Sequence, residues 1–133
     1  MDYYFKATIR NKTFDEAIEK TIKELQKEGF GVLTEIDLKS TLKNKLDVNF
    51  YNYKILGACN ASFAYKALQA EDKIGTMLPC NVIIQERKLG SIEISAVDPL
   101  ASMVSVENKF LGDIAVEVSD KLKRVIENLN ISS

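Results

Sequence analysis

Histidine is missing from the 133-residue sequence. It is the usual general base near neutral pH and the commonest protein ligand for metal ions. Its absence excludes serine and cysteine triads that depend on an imidazole ring. The sequence therefore assigns no catalytic residue and no metal site, and any chemistry would depend on carboxylates or thiols.

Long apolar runs and a large net charge are also missing. No run of about 18 apolar residues occurs, so the sequence predicts no membrane-spanning helix. A formal net charge of -1 gives no strong positive field for a nucleic acid to bind. The first ten residues, MDYYFKATIR, have neither a basic start nor an apolar signal core, which favours a cytoplasmic protein. We expect neither a nucleic acid nor a membrane as a partner.

The chain has the length and composition of one compact domain covering residues 1–133. We find no repeat, no low-complexity segment and no linker. Two cysteines, Cys59 and Cys80, are typical of free thiols in a cytosolic setting rather than of a structural disulfide.

Two long amphipathic helices are predicted near opposite ends of the chain. The first begins after Thr13, which has capping-box spacing to Glu16, and ends at Gly29. The second runs from about Asn108 to about Asn130, with acidic residues early and basic residues late, as the helix dipole favours. Apolar residues recur on each at three- and four-residue steps, so each presents one stripe to a core.

Five strands are predicted, at residues 3–9, 30–38, 53–59, 81–88 and 91–97. The last two flank Leu89-Gly90 and form a hairpin. A short helix at 39–47, with Leu42 and Leu46 inward, and another at 61–70, capped by Asn60, lie between strands. Strands outnumber long helices, which favours an α+β fold with an antiparallel sheet and helices on one face.

Four segments in this order carry a family resemblance: EGFGVLTEIDLKSTLKNKL, YKILGACNASFAYKAL, IGTMLPCNVII and ISAVDPLASM. As a set they resemble the prokaryotic family called domain of unknown function 302. The resemblance implies a curved antiparallel sheet with two long helices, related to TATA-binding-protein-like folds, and a homodimer. It implies no reaction and no cofactor, because the activity of the family is not established.

The matched pattern gives the candidate ligand-binding residues. They are Glu35, Asp37, Lys45, Cys59, Asn60, Cys80, Asn81 and Asp98. Leu78, Pro79 and Pro99 belong to the same pattern. The family commonly has proline after the first Cys-Asn pair, where this chain has Ala61. Alanine also tolerates the first helical turn, so the departure affects rigidity more than chemistry.

Each group of candidates has an alternative interpretation. The two thiols form a redox or soft-metal pair if the strands bring them together, but free cysteines are often small buried hydrophobes. Glu35 and Asp37 leave the same strand face and, with Lys45 and Asp98, line a polar cleft or lie on a solvated surface. Asn60 and Asn81 bind a ligand, or serve as a helix cap and a backbone partner.

Aromatic residues near a cluster of four lysines, Lys39, Lys43, Lys45 and Lys54, are further candidates for ligand contacts. Phe50, Tyr51 and Tyr53 either stack on a base or belong to the rim of the core.

Three functions follow. The sequence favours a non-catalytic small-ligand-binding or interaction module, with a possible small-molecule ligand and a second copy as partners. The alternatives are a thiol-based redox or metal-handling protein using Cys59 and Cys80, and a carboxylate-based hydrolase or isomerase.

Overall fold

The computed structural model describes residues 2–132, and side chains as far as residue 130. One five-stranded antiparallel sheet forms its framework, with the strand order β1-β5-β4-β3-β2. In chain order, β1 to β5 are Tyr4–Ile9, Gly31–Asp37, Asn52–Cys59, Cys80–Lys88 and Ser91–Val97. The predicted α+β class and the five strands are confirmed.

Five α-helices connect or follow the strands. In chain order, α1 to α5 are Phe14–Lys27, Leu38–Leu46, Ala61–Ala70, Pro99–Ser102 and Lys109–Ser132. A 3-10 helix, Asp72–Met77, precedes β4. The sequence predicts neither this helix nor α4, because each is too short to show helical periodicity.

Local chemistry accounts for both ends of α1. The Thr13 hydroxyl accepts from the Glu16 amide at 3.1 Å, and the Glu16 carboxylate accepts from the Thr13 amide at 2.8 Å. This is the predicted capping box, which satisfies two otherwise unpaired donors. Gly29 follows the helix with φ of +88°, a conformation that glycine adopts without a steric penalty.

The core lies between one face of the sheet and the helices α1, α3 and α5. Alternate residues of each central strand face it, because side chains alternate between the two faces of a strand. On β4 and β5 these are Val82, Ile84, Ile92, Ile94 and Ala96, all fully buried. The helices cover this face with side chains that include Ala17, Leu25, Leu111, Leu122, Val125 and Leu129.

The helices α1, α3 and α5, which cover the core face, leave the other face of the sheet uncovered. We call it the open face. The register places Lys6, Glu93, Ser95, Asn81, Ile83, Gln85, Tyr53 and Ile55 on it. Polar and apolar residues are mixed there, in contrast to the buried apolar residues that β4 and β5 direct toward the core.

Strand β2 lies at one edge of the sheet, and its outer edge pairs with no strand of residues 2–132. A bulge at Leu33 interrupts its pairing with β3. Leu33 and Ile36 are 68% and 45% exposed. The inward orientation predicted for Leu46 is wrong: the helix α2 buries no residue, and Leu46 is 66% exposed. This helix follows an edge strand and contacts β3, with Leu42 half-buried.

None of the helices in the part of the chain that the structure describes combines the length and the hydropathy needed to cross a membrane.

Candidate functional site

The two cysteines lie at adjacent strand ends. Cys59 ends β3, Cys80 begins β4, and the neighbour of Cys59, Ala58, pairs directly with Cys80. Both line a small cavity of about 40 Å³ between the sheet and the helices α3 and α5. The other lining residues include Phe30, Phe63, Ala67, Leu78, Pro99, Leu111 and Val118. An apolar cavity of this kind gives a water molecule no polar partners and offers little to a polar ligand.

Burial makes Cys80 a poor nucleophile. Its side chain is 8% exposed, and burial, with a smaller effect of Cys59, raises the pKa of its thiol to about 11. The thiolate is the reactive form of cysteine, and a reactive thiol needs a lowered pKa. Both thiols are free, and no third thiol or carboxylate ligand joins them within residues 2–132. The surroundings fit the packing interpretation better than redox or metal chemistry.

Each Cys-Asn pair directs its asparagine to a different environment. Asn60 occupies the cap position of α3, but its side chain makes no capping hydrogen bond. Its amide group donates instead to the Glu28 carbonyl at 3.3 Å, which joins α3 to the turn after α1. The predicted capping role is therefore wrong for the side chain. Asn81 is exposed on the open face, and its side chain makes no hydrogen bond to a described residue.

The candidate carboxylates do not share one cleft. Glu35 and Asp37 lie on the edge strand β2, whereas Asp98 follows β5, and two strands separate these elements. Asp37 caps α2 by accepting from the Ser40 amide at 3.1 Å and the Ser40 hydroxyl at 2.9 Å. These bonds lower the pKa of Asp37. Lys45 is exposed on α2. The arrangement does not bring an acid and a base together.

Asp98 has a structural environment of its own. One carboxylate oxygen accepts from the Leu100 amide at 3.0 Å and from the Ser119 hydroxyl at 2.8 Å. The first bond caps α4, and the second ties the end of β5 to α5. These contacts account for an aspartate at this position without a catalytic role.

A cleft larger than the cavity beside the cysteines lies on the open face. It has a volume of about 500 Å³, within the range of small-molecule sites. Its lining residues come from β1, β3, β4 and β5 and from Tyr3, which precedes β1. They are Tyr3, Tyr4, Lys6, Tyr53, Asn81, Ile83, Gln85, Arg87, Glu93, Ser95, Ala96 and Val97. The cleft includes Asn81 but neither cysteine, whereas Cys59, Asn60 and Cys80 all line the small cavity between the sheet and the helices.

Three tyrosines give the cleft aromatic surfaces. Tyr3 and Tyr4 meet edge to face, with ring centroids 5.0 Å apart. Tyr53 contacts Tyr51 at 5.9 Å, and Tyr51 stacks on Phe50 at 4.1 Å. Burial chiefly, with smaller effects of Tyr51 and Tyr3, raises the pKa of Tyr53. Tyr53 therefore keeps its phenol proton at neutral pH and can donate a hydrogen bond.

Charged groups meet at one side of the cleft. The Glu93 carboxylate lies between Lys6 Nζ at 3.5 Å and an Arg87 guanidinium nitrogen at 3.6 Å. Glu93 is more buried than either cation. Next to Glu93 on the same face of β5, Ser95 is polar and buried although the cleft reaches it.

Sequence reasoning missed most of these residues. Of the twelve that line the cleft, it named Asn81 as a candidate and Tyr53 as a stacking option. The available signal was the alternation along β4, where Asn81, Ile83, Gln85 and Arg87 occupy one face. Lys6 and Glu93 are 87 positions apart, so only the pairing of β1 with β5 brings them together.

Comparison with known proteins gives a family and a fold. Residues 5–129 match the family model described as Domain of unknown function DUF302. The structure is similar to the crystal structure of an uncharacterised conserved DUF302 protein from Bacillus stearothermophilus, with a TM-score of 0.87. The two chains are 23% identical, and the similarity covers 97% of this chain and 99% of that one. A comparison with curated proteins found no match.

Proposed function

Because the chain belongs to the DUF302 family, whose description names no activity, we propose that this domain is a non-catalytic module that binds a small molecule on the open face of its sheet. The observation that carries the proposal is the cleft of about 500 Å³ lined by three tyrosines and several polar groups. Concave sites with apolar surfaces and a few converging polar groups are typical of small-molecule binding.

A non-catalytic role is supported by the environments of the alternative groups. Asp37 and Asp98 are engaged as helix caps, and Cys80 is buried with a raised thiol pKa. In the cleft itself, Glu93 is the acidic residue, and it is held between two cations.

A thermal-shift screen with a metabolite library tests ligand binding. A ligand that binds only the folded state raises the melting temperature, by an amount that grows with its concentration. The variant Asn81→Trp should abolish the shift, because an indole at this position fills the cleft. Leu89→Trp is the matched control, since Leu89 is 93% exposed at the tip of the hairpin. Hits that stabilise both variants equally would contradict the proposal.

The homodimer expected from the resemblance is supported by the edge strand β2. Its unpaired edge and the exposed side chains of Leu33 and Ile36 suit antiparallel pairing with β2 of a second copy. Such pairing is isologous and would continue the sheet across a two-fold axis. Leu46 and Val48, also exposed, would add apolar area beside it.

Sedimentation velocity over a concentration series tests the dimer. We expect a dimer mass for the unmodified chain and a shift toward monomer for Leu33→Lys, because a buried unpaired ammonium is costly. Leu89→Lys, at the hairpin tip, should not change the mass. A monomer mass at every concentration would refute this assembly.

We also infer a cytoplasmic location, supported by the two free thiols. Cell fractionation tests it, and recovery in a secreted or periplasmic fraction would contradict it.

A further inference from the structure

We propose that the open-face cleft selects a small planar aromatic carboxylate, with its acid group at Lys6 and Arg87 and its ring among the tyrosines. The inference rests on the proposed function and names the class of ligand for the same site. Charge, donor capacity and shape support it independently.

The charge of the cleft favours an anion. Among its lining residues, Lys6 and Arg87 are cationic and Glu93 is anionic, which leaves one uncompensated positive charge. A cationic ligand would meet a carboxylate that two cations already neutralise. An anionic ligand meets two cations that share a single carboxylate.

The two cations keep free donors. Lysine has three N–H donors and arginine five, but the contacts to Glu93 engage one nitrogen of each, at 3.5 and 3.6 Å. These distances exceed those of good hydrogen bonds, so the ion pairs with Glu93 are loose. The side chains of Lys6 and Arg87 remain substantially exposed and can turn toward a ligand carboxylate.

The aromatic surfaces favour a flat ligand. Tyr4 lies on β1 and Tyr53 on β3, three strand spacings apart across the sheet, which is about 14 Å. The register aligns Tyr53 with Thr8, four residues along β1 from Tyr4, which adds about 13 Å along the strands. A ligand of one or two rings therefore covers part of this distance, over Ile83, and reaches the tyrosine at one end of the cleft. Aromatic rings gain from edge and offset contacts with tyrosine beyond the burial of their area. The Asn81 and Gln85 side chains, on either side of Ile83, can bind polar ring substituents.

Matched naphthalene probes test the selection. Isothermal titration calorimetry should show binding of 2-naphthoate, about tenfold or more weaker binding of neutral 2-naphthamide, and no binding of cationic 2-naphthylmethylamine. Amide NMR shifts should map 2-naphthoate to Asn81, Ile83 and Glu93. Binding should weaken as salt rises, because the recognising cations are exposed.

Variants that remove a positive or a negative charge from the cleft should change the affinity for 2-naphthoate in opposite directions. Arg87→Gln should weaken 2-naphthoate binding about tenfold and leave 2-naphthamide unchanged. Glu93→Gln should strengthen 2-naphthoate binding, because it frees both cations. Lys23→Gln, an exposed position on α1, is the matched control and should change neither. NMR spectra of each variant establish that it is folded.

The outcomes separate this inference from the proposed function. The inference is overturned if 2-naphthamide binds as tightly as 2-naphthoate, or if Glu93→Gln weakens the binding of 2-naphthoate. In both cases the proposal that the cleft binds a small molecule still stands. The same holds if no probe binds but other compounds from the thermal-shift screen map to the cleft. If no compound of any class maps there, the proposed function fails as well.

Discussion

Replacement of Gly57 by alanine is a direct test of how β2, β3 and the segment before β4 are packed. A Cβ atom at this position would lie 2.7 Å from Pro79 Cγ and closer still to the Thr34 hydroxyl. Carbon atoms at optimal separation are about 3.5–4.0 Å apart, so both neighbours have to move. Gly57 pairs with Thr34 on one side and with Asn81 on the other, so the movement would reach the rim of the cleft.

The expected cost follows from two opposing effects. Overpacking of a well-packed region costs about 1–3 kcal/mol. Alanine is favoured over glycine within a strand by about 0.5–1 kcal/mol, because glycine loses more backbone entropy on folding. The free energy of unfolding should therefore fall by about 1–2 kcal/mol. For a chain of this length that is a decrease in melting temperature of about 4–8 °C.

Urea denaturation and differential scanning calorimetry measure the effect, and a double mutant identifies its cause. Thr34→Ala removes the nearest clashing atom, so Gly57→Ala with Thr34→Ala should recover about 1 kcal/mol relative to additivity. Gly31→Ala is the matched control, because a Cβ on this β2 glycine meets no atom within 4 Å. Equal stabilities of Gly57→Ala and Gly31→Ala would refute the packing argument.

Three further predictions concern single contacts. Because burial raises the pKa of Cys80 to about 11, stability should be lost as pH rises from about 9 to 11, by up to about 2–3 kcal/mol. Urea titrations at several pH values should show a smaller loss of unfolding free energy for Cys80→Ala. The same dependence of unfolding free energy on pH in both proteins would contradict the raised pKa. Thr13→Ala should cost about 1 kcal/mol in urea denaturation through loss of the capping box, whereas an unchanged midpoint would refute it. Asp98→Ala should cost about 1–2 kcal/mol, and additivity with Ser119→Ala in the same assay would contradict their hydrogen bond.

Local chemistry explains why much of the fold was predictable. The capping box at Thr13 and the glycine at position 29 bound α1 in both the sequence and the structure. The hairpin around Leu89-Gly90 joins β4 and β5 as predicted, with Gly90 at φ of +84°. Signals of this kind depend on a few consecutive residues, so no knowledge of the tertiary structure is needed to interpret them.

Tertiary context explains the errors. Leu46 lies on a helical pattern that predicts burial, but α2 follows an edge strand, and its contact with β3 leaves Leu46 exposed. Asn60 has the residue type and position of a cap, yet the Glu28 carbonyl lies close enough to bind its side chain instead.

Prediction of the cleft from the sequence would have required the strand order of the sheet. Glu93 becomes a partner of both Lys6 and Arg87 only when β5 lies between β1 and β4. Strand alternation alone places Asn81, Ile83 and Gln85 on one face of β4 but gives no information about the strands beside it. Candidate residues taken from one segment at a time therefore pointed to Glu35 and Asp98, which the sheet keeps apart.

The two-sided use of β4 has an evolutionary consequence. Val82 and Ile84 maintain the hydrophobic core, while the residues between and beside them, Asn81, Ile83 and Gln85, line the opposite surface. Substitutions at the second set would change the chemistry of that surface with little effect on the packing that keeps the chain folded. A single scaffold of this kind can thus diversify among relatives by exchange of every other residue along two or three strands.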